Sequence, residues 1–293
     1  MYSPVVQMFF HKPTFTLSYV VKDPLSNCSV IIDPVLDYDT AAARTSTRHA
    51  DRILQYVSDN SLEVGWILET HAHADHISAA PYLREKTGGK IAIGEGIREV
   101  QKTFRKVFNI DNLATDGSQF DRLLQDNEKL AIGKMEATVI HTPGHTNDSV
   151  SYLIGDAVFI GDTLFAPDFG SARTDFPGGD AQCLYRSIHK LFGLPDSTRV
   201  FLCHDYMPAG RELEHVHDLK EQKQKNIHIN ENVTEQEFVS MREARDEQLG
   251  MPGLIIPSIQ INIRAGQLPP EEDNGVAYLK VPLNQLGNPG KAG

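Results

Sequence analysis

The strongest chemical signal in the sequence is a run of ligand-type side chains, His71, His73, Asp75 and His76. It follows directly on residues 64–69 (VGWILE), an apolar stretch that is typical of a buried strand. Imidazole and carboxylate groups bind zinc and iron, and a loop lets neighbouring side chains turn towards different positions around a metal. The alternative interpretation is a solvent-exposed histidine-rich turn, but such a turn does not require a buried strand directly before it. We therefore predict a metal site in this loop.

Three later segments each place another ligand-type residue just past a predicted strand. His145 stands in the sequence HTPGHT, where a Pro-Gly pair forms a tight turn that presents the imidazole. Asp162 stands in GDT, and His204 stands in HDY. Each segment alone is weak evidence, because a single histidine after a strand is more often structural than a ligand. Together with the first loop they predict one site built from the ends of several strands.

The elements that must position these residues fall into two successive blocks. In the first block, strands are predicted at 17–21, 29–33, 64–69 and 90–93, with helices at 47–58 and 81–86. In the second, strands are predicted at 129–132, 135–140, 150–154, 157–160 and 199–202, with a helix at 180–192. Two blocks of strands with helices around them predict two packed sheets with helices outside, an αββα sandwich.

The character of the chain changes after about residue 208. The sequence Thr234-Glu-Gln-Glu237 predicts a capping box that opens a helix ending near Gln248. Residues 255–262 and 278–283 are predicted to be extended. We expect residues 1–293 to form one domain, with a core at about 8–207 and a C-terminal extension at about 208–293.

Bulk composition excludes several classes of protein. The 293 residues carry 28 basic and 39 acidic side chains, a net charge of -11, which disfavours nucleic acid and anionic membranes as partners. No apolar run approaches the roughly 18 residues that span a bilayer. The N-terminus lacks a basic region before its apolar stretch, so we expect a cytoplasmic protein with three free cysteines. Among these, Cys203 is expected to be a buried apolar residue and not a nucleophile.

The order HxHxDH, TPGHT, GDT and a late histidine resembles the metallo-β-lactamase superfamily over most of residues 15–205. The resemblance implies the αββα fold and two metal positions. The first would use His71, His73 and His145. The second would use Asp75, His76 and His204, with Asp162 able to bridge the two. The ligand inventory alone therefore permits a dinuclear zinc hydrolase of glutathione thioesters, similar to glyoxalase II.

A finer resemblance concerns Arg173-Thr-Asp-Phe176, His204-Asp-Tyr206 and the C-terminal SIQINIRAG segment. These look like the bacterial persulfide dioxygenases with an extended C-terminus. The resemblance implies one Fe(II) per chain, bound by a set of three residues, His71, His145 and Asp162. The remaining potential ligands would surround the metal without binding it, namely His73, Asp75, His76 and His204. Some relatives carry a cysteine where this chain has Ser171, so no role for that thiol is transferred.

The implied substrates are glutathione persulfide and O₂, in sulfide detoxification, and the resemblance also implies a homodimer. Glutathione carries two carboxylates, so an acidic protein must offer local basic or tyrosyl contacts. We expect Arg173, Tyr206 and Arg264 to provide them. An ion pair between Arg173 and Asp175 is the alternative for that arginine. A non-catalytic binding protein of the same fold is a third hypothesis, but no potential ligand is missing from the sequence.

Overall fold

The computed structural model describes residues 2–287, which form fifteen strands and seven α-helices. The strands are β1 (Val5–His11), β2 (Thr16–Lys22), β3 (Cys28–Ile32), β4 (Val35–Asp39), β5 (Arg44–Ser46), β6 (Glu63–Leu68), β7 (Ile77–Ser78), β8 (Lys90–Gly94), β9 (Arg122–Leu124), β10 (Lys129–Ile132), β11 (Met135–His141), β12 (Val150–Ile154), β13 (Ala157–Phe159), β14 (Arg199–Phe201) and β15 (Val216–Asp218). The helices are α1 (Arg48–Asp59), α2 (Ala80–Thr87), α3 (Ile97–Val107), α4 (Ala181–Phe192), α5 (Leu219–Lys225), α6 (Glu235–Asp246) and α7 (Ile255–Asn262).

Two six-stranded sheets form the centre of the molecule. The first has the order β1-β2-β3-β6-β8-β9, and it is parallel from β3 to β9. The second has the order β10-β11-β12-β13-β14-β15, and only the β13–β14 pair is parallel. A small sheet, β5-β4-β7, lies beside them. The αββα fold class predicted from the sequence is confirmed.

Alternation along the strands shows how the layers pack. In β2, Tyr19 and Val21 belong to the apolar cluster shared by the two sheets, whereas Val20 belongs to the cluster that includes α1, α2 and α3. Because neighbouring side chains of a strand point to opposite faces, a strand buried on both faces is apolar throughout. This is why the first sheet appears in the sequence as short apolar runs.

In the C-terminal extension, one predicted helix is confirmed and one predicted extended segment is wrong. Helix α6 begins with the capping box predicted at Thr234 and Glu237. Residues 255–262, however, form helix α7 and are not extended. Nearly every residue of α7 is buried, so its sequence has no polar face, and a short apolar run of this kind does not distinguish a strand from a buried helix. Pro257 is compatible with the helix because it lies in the first turn, where backbone N–H groups have no intrahelical acceptor.

The last described segment joins no sheet. The backbone of Lys280, within residues 278–283, instead exchanges two 2.9 Å hydrogen bonds with the side chain of Gln260 on α7. Across residues 2–287 no helix is long and apolar enough to cross a membrane. The division into one domain with a core at about 8–207 stays a prediction.

Candidate metal centre

The predicted ligands lie in four loops at one edge of the sandwich. His71, His73, Asp75 and His76 occupy the loop between β6 and β7. The other three follow β11, β13 and β14, and they are His145, Asp162 and His204. Gly144 shapes the loop of His145: its φ is +137°, and a Cβ there would lie 2.3 Å from the backbone nitrogen of Leu184. Only glycine fits this turn, as the Pro-Gly pair in the sequence suggested.

One group of potential ligands consists of His71, His145 and Asp162. The Oδ2 atom of Asp162 lies 3.9 Å from Nε2 of His71 and 3.7 Å from Nε2 of His145. Ligand atoms that each lie about 2.1 Å from one ion are at most about 4.2 Å apart, so these distances are compatible with a shared metal.

A second group consists of His73, Asp75, His76 and His204. The Oδ2 atom of Asp75 lies 3.4 Å from Nε2 of His204 and 3.4 Å from Nδ1 of His76. Asp162 lies between the two groups, because its Oδ1 atom is also 3.4 Å from Nε2 of His204. All seven predicted residues are therefore brought together.

The buried polar atoms of the site fit a metal. Six of them have no hydrogen-bond partner within the described chain, namely Nε2 of His71, Nδ1 of His73, Nε2 of His76, both ring nitrogens of His204 and Oδ1 of Asp162. A buried polar atom without a partner costs free energy, and such atoms are rare in native proteins. A bound Zn²⁺ or Fe(II) ion would give a partner to one nitrogen of a ring and to the carboxylate, and these are donors that both metals accept.

Hydrogen bonds hold the imidazole rings of His145 and His73 at the ring nitrogen that does not face the ligand groups. Nδ1 of His145 donates to the backbone carbonyl of Arg173 at 2.7 Å, so in the neutral ring Nε2 carries no proton and is available to a metal. Nε2 of His73 lies 3.0 Å from Oδ1 of Asp33, which leaves Nδ1 facing the site without a partner. Burial lowers the pKa of His71 well below its usual value, and the neutral ring is the form that binds a metal.

Asp33 has a central supporting role that the sequence did not reveal. Its carboxylate accepts hydrogen bonds from the backbone nitrogen of Thr70 at 2.7 Å and from the Thr70 hydroxyl at 2.9 Å. Burial opposes protonation of His73, but the charge of Asp33 prevails and raises the pKa of that imidazole well above its usual value. Asp33 therefore fixes both the start of the metal-binding loop and the orientation of His73.

Asn262, the last residue of α7, holds the same loop from the other side. Its Nδ2 atom donates to the backbone carbonyls of His73 and His76, both at 2.8 Å. Its Oδ1 atom accepts from the backbone nitrogen of Ser78 at 2.9 Å. The C-terminal extension is thus a structural part of the metal centre.

A cavity of about 440 Å³ opens beside the first ligand group. His145, Asp162 and Asp75 line one end of it. Its aromatic lining residues are Phe15, Phe165, Phe169, Phe176 and Tyr206. The volume lies within the range of small-molecule sites, which are mostly apolar with a few polar groups.

The three predicted substrate contacts differ in position. Tyr206 and Arg173 line the cavity, whereas Arg264 is buried just after α7 and does not line it. The guanidinium of Arg173 donates two 2.6 Å hydrogen bonds to Asp175 and one of 2.7 Å to the carbonyl of Gly250. This is the ion pair considered as the alternative from the sequence. Substrate contact by any of the three stays a prediction.

The fold and the ligand cluster define a metal-binding αββα protein. The chain belongs to the metallo-beta-lactamase superfamily, whose family model matches residues 11–204. It is 49% identical to a probable metallo-hydrolase of Burkholderia pseudomallei, over 96% of this chain and 99% of that protein. It is 47% identical to glyoxylase B2 of Dictyostelium discoideum, over 96% of this chain and 97% of that protein.

Similarity to persulfide dioxygenases is lower but extends over most of the chain. The mitochondrial persulfide dioxygenase ETHE1 of Bos taurus is 28% identical, over 91% of each chain. The crystal structure of ETHE1 from Myxococcus xanthus superposes with a TM-score of 0.72 and 32% identity, over 90% of this chain and 100% of that one.

Proposed function

We propose that the protein is a persulfide dioxygenase that uses one Fe(II) per chain. The observation that carries the proposal is the composition of the first ligand group: two imidazoles and one carboxylate, from His71, His145 and Asp162, while His73 belongs to the second group. A set of two histidines and one carboxylate leaves several positions of Fe(II) open, as in non-haem oxygenases. The similarity to the ETHE1 proteins supports the same conclusion.

The net reaction converts glutathione persulfide, O₂ and water into glutathione, sulfite and two protons. The sulfane sulfur loses four electrons and O₂ gains four, so no further oxidant or reductant is needed. Bound Fe(II) supplies a redox-active centre with room for both O₂ and the persulfide sulfur, whereas zinc has no accessible redox state.

The residues of this chain supply orientation and a largely aromatic cavity wall. Burial, followed by the charges of Asp162 and Asp75, raises the pKa of Tyr206 well above its usual value, so its phenol keeps its proton at neutral pH. Tyr206 is packed by Phe169 at 4.7 Å and by Phe15 at 5.7 Å between ring centroids. These rings fix the position of the phenol, and we propose that the Tyr206 hydroxyl donates a hydrogen bond to the substrate.

A dinuclear zinc hydrolase of glutathione thioesters is the second candidate. The second ligand group, together with Asp162 between the groups, offers the donors for another metal. The names of the relatives at 47–49% identity, a metallo-hydrolase and a glyoxylase, agree with this candidate. Cytoplasmic location and a homodimer stay predictions under either function.

Metal reconstitution distinguishes the two candidates. Metal-free protein would be loaded anaerobically with Fe(II) or with Zn²⁺, and each form assayed with glutathione persulfide and with S-lactoylglutathione. We expect the Fe(II) form to produce sulfite and the Zn²⁺ form to produce none. Thioester hydrolysis by the Zn²⁺ form, with no sulfite from the Fe(II) form, would contradict the dioxygenase function and support the hydrolase function.

A further inference from the structure

The C-terminal extension builds part of the cavity wall. His228, Arg242 and Arg245 line the cavity, together with Ser171 and residues of the loop at 249–254. The two ligand groups contribute the charged lining residues Asp75 and Asp162. The extension therefore adds positive charge to a cavity whose ligand groups carry carboxylates.

Two of the three cavity arginines are neutralised within the protein. Arg173 forms a bidentate ion pair with Asp175, at 2.6 Å for both contacts. Arg242 donates to Oδ1 of Asp246 from two nitrogens, at 3.0 and 2.7 Å, and to the carbonyl of Ser171 at 3.0 Å. Such fork-shaped pairs use most of the donors of a guanidinium, so neither arginine is free to bind a ligand strongly.

Arg245 differs from the other two arginines. It lies in the last turn of α6, and its side chain is exposed. Between residues 2 and 287, no carboxylate lies within ion-pair distance of it. One unneutralised positive charge therefore remains in the cavity lining.

His228 adds a neutral donor beside it. Its Nδ1 accepts a 3.0 Å hydrogen bond from the backbone nitrogen of Ser171, so the ring proton of the neutral form is on Nε2. Burial, followed by the charges of Arg242 and Arg245, lowers the pKa of His228 to about 4, and the ring is neutral at pH 7. The described chain offers no acceptor to this Nε2–H, and the ring lines the cavity.

We propose that Arg245, assisted by the Nε2–H of His228, binds a carboxylate of the substrate in the part of the cavity that the C-terminal extension builds. This carboxylate subsite rests on the proposed function for the identity of the substrate, a tripeptide persulfide with two carboxylates. The sulfur is then directed to His145 and Asp162, which line the same cavity, and the aromatic lining residues contact the rest of the substrate. The subsite selects carboxylate-bearing thiols over small uncharged or cationic ones.

Direct binding of glutathione and of cysteamine, which has a thiol but no carboxylate, tests the subsite. Calorimetry on the metal-loaded enzyme would compare the wild type with Arg245→Ala, Arg245→Lys and Arg52→Ala, in which Arg52 is an exposed arginine on α1. Because solvent weakens an ion pair made by an exposed side chain, Arg245→Ala should weaken glutathione binding roughly two- to ten-fold. Arg245→Lys should restore part of the affinity, and Arg52→Ala should have no effect.

Steady-state kinetics provides a second measurement. Arg245→Ala should raise KM for glutathione persulfide far more than KM for cysteamine persulfide. Equal glutathione affinity in Arg245→Ala and Arg52→Ala would overturn the subsite, and so would an equal loss of affinity for both thiols. If glutathione binding depends on Arg245 but the enzyme consumes no O₂, the result would support the carboxylate subsite and contradict the dioxygenase function.

Discussion

Asn262 donates a 2.8 Å hydrogen bond to the backbone carbonyl of His73, although the two residues are 189 positions apart in the chain. The same amide contacts His76 and Ser78, so one side chain fixes three points of the metal-binding loop. The loop alone has no regular structure to hold its shape, and α7 provides the missing support. The C-terminal extension and the metal centre are therefore expected to gain or lose order together.

Replacing Asn262 should weaken metal binding. In Asn262→Ala, the carbonyls of His73 and His76 lose their donor, and a buried group without a partner costs about 1–3 kcal/mol. We expect a roughly 10- to 100-fold loss of metal affinity, measured by chelator competition. Asn274→Ala is the matched control, because its amide bonds only the exposed residues near Tyr278. Unchanged metal affinity in Asn262→Ala would show that α7 does not support the metal centre.

The carboxylate of Asp33 should be needed for the orientation of His73. Asp33→Asn keeps the size of the side chain and tolerates the backbone φ of 49°, but it removes the negative charge beside the imidazole. Because Asp33 also holds Thr70, whose hydroxyl lies 3.1 Å from Nδ1 of the proposed ligand His71, we expect metal affinity to fall roughly 10- to 100-fold. Asp156→Asn, in a surface pair with Arg199, serves as the control. Wild-type affinity in Asp33→Asn would show that its charge is not required.

Cys203 should be chemically inert in the folded protein. Burial, followed by the charge of Asp33, raises the pKa of this thiol well above its usual value, so the reactive thiolate is absent at neutral pH. Alkylation by iodoacetamide should label Cys203 only after unfolding, as followed by mass spectrometry. Cys203→Ser should keep most of the turnover. A complete loss of activity with metal still bound would instead make the thiol a participant in the reaction.

His228 should make folding stability depend on pH below neutrality. Its pKa is about 4 in the folded protein and about 6.5 in an unfolded chain. Between these values the unfolded chain binds more protons, so the free energy of unfolding decreases as pH falls from about 6.5 towards 4.

Urea unfolding at several pH values would measure this contribution. The His228→Gln variant can still accept the hydrogen bond from Ser171 but cannot titrate, so its free energy of unfolding should depend less steeply on pH. Identical pH dependence in the variant and the wild type would show that His228 titrates normally.

Local patterns were sufficient to predict most of the fold. The strands around β2, β3 and β6 and the helix α4 lie within one or two residues of their predicted limits, because each has an uninterrupted apolar face or run. Helix α7 was misassigned because burial on all sides removes the helical period from its sequence.

The metal ligands were predicted because they are concentrated at strand ends. The supporting roles of Asp33 and Asn262 in the metal-binding loop were not predicted, because their contacts depend on tertiary folding. Asp33 at the end of a strand, before Pro34, was a weak signal that could have been followed. The lack of an ion-pair partner at Arg245 also requires the structure, because only the tertiary fold shows that Arg173 and Arg242 meet carboxylates and that Arg245, among residues 2–287, meets none.

The most direct test of the proposed function is the ratio of O₂ consumed to sulfite formed by anaerobically purified, iron-loaded protein. With metal content measured on the same sample, we predict about one iron per chain and one O₂ consumed per sulfite when glutathione persulfide is added. Two zinc ions per chain with no uptake of O₂ on addition of glutathione persulfide would contradict the dioxygenase and favour the hydrolase.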